Sequence, residues 1–353
     1  MTTVASTSAS SASGVPELRV RRWDRTSVVG TAVLALAGLV LLAGPYLFDV
    51  GTMSQLVELF VYIIIAAMWN LLAGYGGMLS IGQQAYIGLG AYGIVGIADL
   101  LGVNPFLSIP LAAIACGIVA IPISYLAFRL VGGYFAIGTW VIAEVIRLIV
   151  GQVPAFGAGA GYSLRSLSGM DRSLRISLVF WAALVVLIAI VVACVLFARS
   201  RRGLALTAVR DDPVSAATSG VAVQSSKRVV FVAAAMGTGA AGAILALQNL
   251  RVQPTAMFDV QWSAYMIFIV IIGGLGTLEG PILGAIVFFV LREVLSPYGP
   301  LYLIVLGVVG IAFVLFARKG IWGLISARRP VSLFSTGYRV TGLEAARGRA
   351  GGS

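Results

Sequence analysis

Long apolar runs with few charges, separated by short polar or basic punctuation, dominate the chain. They fall at 28–48, 55–73, 79–101, 106–128, 134–150, 176–198, 229–248 and 300–317. Most match the ~20 residues a helix needs to cross a hydrocarbon core. The stretch 263–291 is also apolar, but Gly273-Gly274-Leu275-Gly276-Thr277-Leu278-Glu279-Gly280-Pro281 interrupts it. As one helix it would be roughly 43 Å long, too long for a core of about 30 Å. It would also hold glycines and a proline that break helices. The pattern therefore predicts two short helices, 263–273 and 281–295, meeting at a Gly-rich turn. Residues 1–18, rich in Ser, Ala and Thr and without helical periodicity, read as a disordered tail. The basic stretch 19–25 precedes the first run as in a signal peptide. That run, however, exceeds the ~7–15 residues of a signal core, and its one cleavage-like triplet, Ala35-Leu36-Ala37, sits mid-run. It reads as a first membrane helix.

Composition agrees. Hydrophobic residues make up 59% of the 353 and charged residues 10%, against about 45–50% and about 25% in soluble domains. So little charge cannot cover a water-facing surface, and lipid must be most of the solvent. The net charge of +11 resolves once the charges are placed. With the N-terminus inside and about ten spans, the inner segments hold Arg19, Arg21, Arg22, Arg25, Arg129, the basic residues of 199–228, and Arg318, Lys319, Arg328, Arg329, Arg339, Arg347 and Arg349. Arg147, Arg165, Arg172, Arg175, Arg251 and Arg292 are left over. This is the positive-inside bias, and counting 263–295 as a single span would reverse it for the C-tail. The expected fold is an all-α, polytopic membrane helix bundle of about ten spans with broken Gly-rich helices and both termini cytoplasmic. Residues 1–26 and 326–353 are cytoplasmic tails and 27–325 the membrane domain. The positive charge then reflects topology and anionic lipid, not nucleic acid.

The absences narrow the chemistry. There is no His, hence no imidazole base, proton relay or imidazole metal ligand. The two Cys, Cys116 and Cys194, lie in apolar runs and read as small core residues. Neither lysine, Lys227 or Lys319, follows Gly, so no phosphate-binding Gly-Lys-Ser/Thr loop exists. No metal set and no nucleophile–base constellation stands out. If ATP drives this protein, another chain binds it.

Four stretches carry candidate chemistry. Between the second and third runs, 70–92 is rich in glycine and holds Ser80, Gln83 and Gln84. Unwound backbone at membrane depth is tolerated only against protein or a water-filled cavity, and discontinuous helices meet polar substrates there. Gly88 and Gly90 read as close helix packing; Ser80, Gln83 and Gln84 read as a substrate pathway. Gly273, Gly274, Gly276 and Thr277 repeat the theme on the same inner side. Within 199–228, Asp212-Pro213 reads as an N-cap followed by Pro at the first helical position. A short helix over 214–219 would follow, stopped by Gly220. It could dock in a partner's groove or be a solvated loop helix, and composition does not choose. Glu144 and Arg147, at i and i+3 of the fifth span, could bind a zwitterion, but pairing with each other or snorkelling is the plainer reading. Glu58 is read the same way. Trp23, Tyr302 and Trp322 read as interfacial anchors.

Several segments, in order over roughly 55–325, resemble the LivM-type permeases of branched-chain amino acid ABC importers. They are 79–92 (LSIGQQAYIGLGAY), 133–139 (GYFAIGT) with 143–147 (AEVIR), Arg210-Asp211-Asp212 with Ala216, Ala217 and Gly220, 272–281 (IGGLGTLEGP) and 317–323 (ARKGIWG). The resemblance implies a permease subunit of the bacterial plasma membrane. Its partners would be an H-type sister permease, two ATPase subunits that use the ATP, and an extracytoplasmic substrate-binding protein. The chain itself would bind no cofactor. The resemblance makes 199–228 a coupling loop, with Arg210, Asp211, Asp212, Ala216, Ala217 and Gly220 gripping an ATPase. The outer loop departs from the family pattern, reading Phe156-Gly157-Ala158-Gly159-Ala160-Gly161-Tyr162. Relatives of this architecture also carry urea or short amides. An ion-coupled secondary transporter, supported by Glu58, Glu144 and the broken helices, is the second reading, and a membrane-embedded enzyme the third.

Overall fold

The computed structural model describes residues 19–21, 30, 36, 38–167, 169–299, 301–317, 319–328 and 339–341. Most of the two tails, and the first part of the run 28–48, lie outside the described residues. What is described of that run is helical over 38–42 and Gly44–Leu47. Twelve helices of six or more residues follow among the described residues. They are α1 (Val50–Asn70, continued by a wider i→i+5 turn over Leu71–Tyr75), α2 (Gln84–Ile94, continued likewise over Val95–Leu100), α3 (Pro105–Ala127), α4 (Gly133–Gln152), α5 (Arg172–Arg199) and α6 (Arg201–Asp211). After them come α7 (Pro213–Thr218), α8 (Val223–Asn249), α9 (Gln261–Gly273), α10 (Gly280–Leu295), α11 (Leu301–Phe316) and α12 (Gly320–Arg328). Among the described residues, eight helical segments are long and apolar enough to cross a membrane.

Among the described residues, strands are confined to two short antiparallel pairs. In one, β1 (Arg19–Arg21) pairs with β4 (Arg339–Thr341). In the other, β2 (Tyr162–Ser163) pairs with β3 (Arg251–Val252) and ties the α4–α5 loop to the end of α8.

Helix starts are chemically marked. Asp49, Asn104, Asp171, Ser200 and Asp212 each accept a backbone N–H at a helix start, satisfying donors that have no partner within the helix. Pro105 and Pro213 open α3 and α7, where a missing N–H is harmless.

The centre of the bundle is α1, α2 and α8. Helix α8 packs on α3, α2 and α1; α1 packs on α5, α9 and α10; α4 and α11 lie at the margin. Small residues let α2 and α8 touch backbone to backbone. A Cβ on Gly90 would lie 1.9 Å from the carbonyl oxygen of Gly239, and one on Gly242 would lie 2.0 Å from that of Ile87. Gly88 and Gly90 are therefore packing glycines. The sequence reading had not singled out the matching stretch on α8, Gly237 to Gly242.

Two elements differ from expectation in form. The third apolar run does not begin as helix at 79: residues 76–83 are irregular and α2 starts only at Gln84. The segment 199–228, expected as a loop with one short helix, is helical almost throughout. Ser200 caps α6, and Gly203, Leu206 and Val209 bury one side of it. The split of 263–295 is present as α9 and α10, with Gly274 (φ +129°) and Gly276 (φ +78°) between them. Trp322 is not an interfacial anchor. It is buried, with its Cβ beside Gly274, because α12 folds back under the Gly-rich turn.

Candidate functional site

Two polar constellations organise the interior, one around the unwound segment 76–83 and one at the inner ends of the broken helices.

The first contains Ser80, Gln83 and Gln84, all buried. Backbone that leaves a helix inside a membrane must find hydrogen-bond partners in the protein, and here α1, α4 and α9 supply them while α8 meets the Gln83 side chain. Trp69 Nε1 of α1 donates to the Ser80 carbonyl at 2.8 Å. Ile81 N donates to Thr139 Oγ1 of α4 at 3.3 Å. Ser263 Oγ of α9 donates to the Ile81 carbonyl at 2.7 Å and also contacts Gln84 Oε1. Thr238 Oγ1 of α8 lies 3.5 Å from Gln83 Oε1 and donates to it. Thr139 and Thr238 both lie within long apolar helices, away from their ends. Ser80, Gln83 and Gln84 are thus brought together, sealed between α2, α4, α8 and α9. A route past them requires those helices to part. Two buried groups on one face of α2, Gln83 Nε2 and Tyr86 Oη, have no hydrogen-bond partner among the described residues.

The second constellation joins the two Gly-rich breaks. Asn70, at the end of α1, grips the second turn with both ends of its amide. Its Nδ2 donates to the Thr277 carbonyl at 2.7 Å, and its Oδ1 accepts from Gly276 N at 2.8 Å. The turns meet without side chains between them, since a Cβ on Gly74 would fall 2.6 Å from Gly276 N. Thr277 Oγ1 closes its own turn, donating to the Gly274 carbonyl at 2.8 Å and accepting from Gly280 N at 3.0 Å. Gly273 lies against α10, where a Cβ would fall 1.9 Å from the Gly280 carbonyl oxygen. Arg210, at the end of α6, reaches in from the segment 199–228. Its Nη1 donates to the Gly74 carbonyl at 2.6 Å, while its Nε and Nη2 hold Asp211 Oδ1, each at 2.8 Å.

Helix α7 follows at once. Asp212 Oδ1 accepts from Val214 N at 2.9 Å and Ser215 N at 3.2 Å, and Gly220 (φ +84°) ends the helix. These bonds, led by the Ser215 hydroxyl, hold the Asp212 carboxyl below the ordinary Asp range. Ala216 is the one residue of α7 that is buried; Asp212, Ala217 and Gly220 are exposed, as is Asp211 at the end of α6.

Two ion pairs lie elsewhere. Glu144 and Arg147 of α4 pair with each other and stay partly exposed. Glu58 does not snorkel alone. It pairs with Arg292 of α10 and accepts from Tyr62 Oη at 2.9 Å, with the Arg292 guanidinium 5.5 Å from the Tyr62 ring centre. A groove of about 670 Å³ between α1, α3, α5 and α8 is lined by apolar residues such as Met68, Ile109, Val186 and Met236. It offers a zwitterion nothing to bind and suits acyl chains.

Sequence reasoning assigned no role to Asn70, Thr139, Thr238, Ser263 or Arg292. The signal available for each was a lone polar residue within an apolar run.

The family described as the permease component of branched-chain amino acid transport systems matches residues 51–315, which include both constellations and α7. The chain belongs to that family. It is 24% identical over 316 residues to the Escherichia coli (strain K12) high-affinity branched-chain amino acid transport system permease protein LivM. That match covers 82% of this chain and 73% of the relative. The Salmonella typhimurium (strain LT2) LivM is 24% identical over 322 residues, with 84% and 76% covered. No solved structure matches the chain. As a member of this permease family, the chain is a multi-pass membrane protein and a transporter component.

Proposed function

We propose that the chain is one of two permease subunits of an ATP-driven importer for branched-chain amino acids in a bacterial plasma membrane. Its partners would be an H-type sister permease, two ATPase subunits and an extracytoplasmic binding protein, and the ATPases would bind the ATP. The observation that carries the reading is the family match over both broken-helix turns together with the short, capped, exposed helix α7 beside them. An exposed helix seated by one small residue, Ala216, is shaped to enter a partner's groove. Asp212, Ala217 and Gly220 would face the ATPase, with Asp211 close by. Ser80, Gln83, Gln84, Gly273, Gly274, Gly276 and Thr277 would border the substrate route, which opens when α2 moves against α8 and α9.

The test is uptake of radiolabelled leucine into vesicles holding the reconstituted complex. Uptake should need ATP and the binding protein and should persist with a protonophore. Uptake that collapses with the protonophore at constant ATP, and survives removal of the ATPases, would overturn the reading in favour of an ion-coupled transporter.

A further inference from the structure

Among the contacts between the segment 199–228 and the membrane helices, one side chain faces two ways. Arg210 belongs by position to the cytosolic segment, two residues before the Asp212 cap of α7. Its guanidinium nevertheless points into the membrane domain, onto the Gly74 carbonyl. That carbonyl lies in the last turn of the broken helix α1, where carbonyls lack partners within the helix and the dipole end is negative. A guanidinium is suited to cap it, because its planar fork can hold a carboxylate with one edge and a carbonyl with another. Here Nε and Nη2 take Asp211 and Nη1 takes Gly74. The side chain is open to solvent on one side and packed against backbone on the other. Gly77 (φ +66°) faces the Arg210 chain so closely that an added Cβ would lie 3.1 Å from Arg210 Cγ. Beyond Gly74 the connection continues. Gly276 packs on Gly74, and Asn70 binds Gly276 N and the Thr277 carbonyl.

We propose that Arg210 is not a contact to the ATPase but the positioning residue that carries displacement of α7 to the inner gate formed by the packed turns 74–77 and 274–277, with Asn70 as the clasp that makes the two turns move together. The inference rests on the importer reading above. It adds the element that reading lacks, a path from the exposed helix to the membrane-embedded breaks. A merely surface-exposed arginine would have its donors in water or on the partner. This one has three of its nitrogens committed to the chain itself.

The experiment uses the complete complex in vesicles and reads two rates in the same preparation, ATP hydrolysis and uptake of radiolabelled leucine. Arg210→Gln should keep ATP hydrolysis within about twofold of wild type while leucine taken up per ATP falls at least tenfold. Arg210→Lys can reach one acceptor but not fork between two, so it should recover part of the ratio. Asn70→Leu, which leaves the Arg210–Gly74 bond in place, should lower the ratio as well. If Arg210→Gln reduces the amount of assembled complex, the ratio is read on Arg210→Lys and should lie at least threefold below wild type.

A ratio within twofold of wild type in both Arg210 variants would overturn the proposal and leave the importer reading intact. So would uptake and hydrolysis falling together, as expected of a residue that only binds the ATPase. Failure of the importer reading would show differently, as leucine uptake by the wild-type complex that does not depend on ATP.

Discussion

Neighbouring amides of one chemical type carry different burdens here. Gln84 Oε1 has a partner in Ser263, whereas Gln83 Nε2 is buried with none. An unpaired buried amide group costs on the order of 1–3 kcal/mol, and replacing it by an apolar group of similar shape can be neutral or stabilising. Gln83→Leu should therefore change the melting temperature of the detergent-solubilised protein little, because relief of the unpaired Nε2 offsets loss of the long bond from Thr238 to its Oε1. Gln84→Leu should lower the melting temperature, by the ~0.5–1.5 kcal/mol of a typical lost hydrogen bond. If Gln83 serves the substrate route, Gln83→Leu should abolish leucine uptake despite its stability. Full uptake in that variant would make Gln83 a packing residue. Of this cluster, Ser80, Gln83 and Gln84 were legible because three polar side chains stand together in an apolar region. Thr139, Thr238 and Ser263 were not, because a lone hydroxyl in an apolar helix more often bonds its own backbone than another helix.

Among the elements, α7 shows local chemistry at its plainest. Asp212, Pro213 and Gly220 set its two ends, and the helix has those ends. Its cap also titrates. The Asp212 carboxyl is held low by its hydrogen bonds, so the ionised form favours the folded helix. Its contribution is complete above the ordinary Asp value of about 3.9 and fades as pH falls from there through the lowered native value. Amide exchange at Val214 and Ser215, corrected for intrinsic rate, should speed up over that range and nowhere above it. In Asp212→Asn the step should vanish. A step that persists in Asp212→Asn would assign it to another group. The broken helices were legible for a similar reason: Gly and Pro within a run too long for one span leave few alternatives. The helicity of 201–211 was not, because α6 owes its order to Gly203, Leu206 and Val209 being covered by other helices, and its basic exterior reads as loop.

At the scale of the whole molecule, the remaining question is what covers the marginal helices. Glu144 lies roughly 12 Å from the outer end of α4 by residue count at 1.5 Å per residue, too deep for a carboxylate that faces lipid alone. Its pairing with Arg147 makes the two mutually dependent. Removing one member of such a pair leaves the other uncompensated, while removing both can be nearly neutral. Arg147→Ala should accordingly lower the yield of membrane-inserted complex several-fold, and Glu144→Ala/Arg147→Ala should restore most of it. Yields that fall additively in the double variant would show two independent roles.

The sequence alone determined the solvent, the all-helical class, the broken helices and the cap of α7. Each follows from local quantities: apolar run length, the position of Gly and Pro, and the charge between runs. It also carried the family resemblance, since that lies in ordered short motifs. Only the tertiary structure decided which helices stand at the centre, because close approach of α2 and α8 depends on Gly90 meeting Gly239 and Gly242 meeting Ile87 across about 150 residues of chain. It likewise decided the direction of Arg210. By sequence that side chain belonged with the ATPase contacts, but a long flexible arginine takes whichever acceptors the fold brings within reach, and here the fold brings the open end of α1.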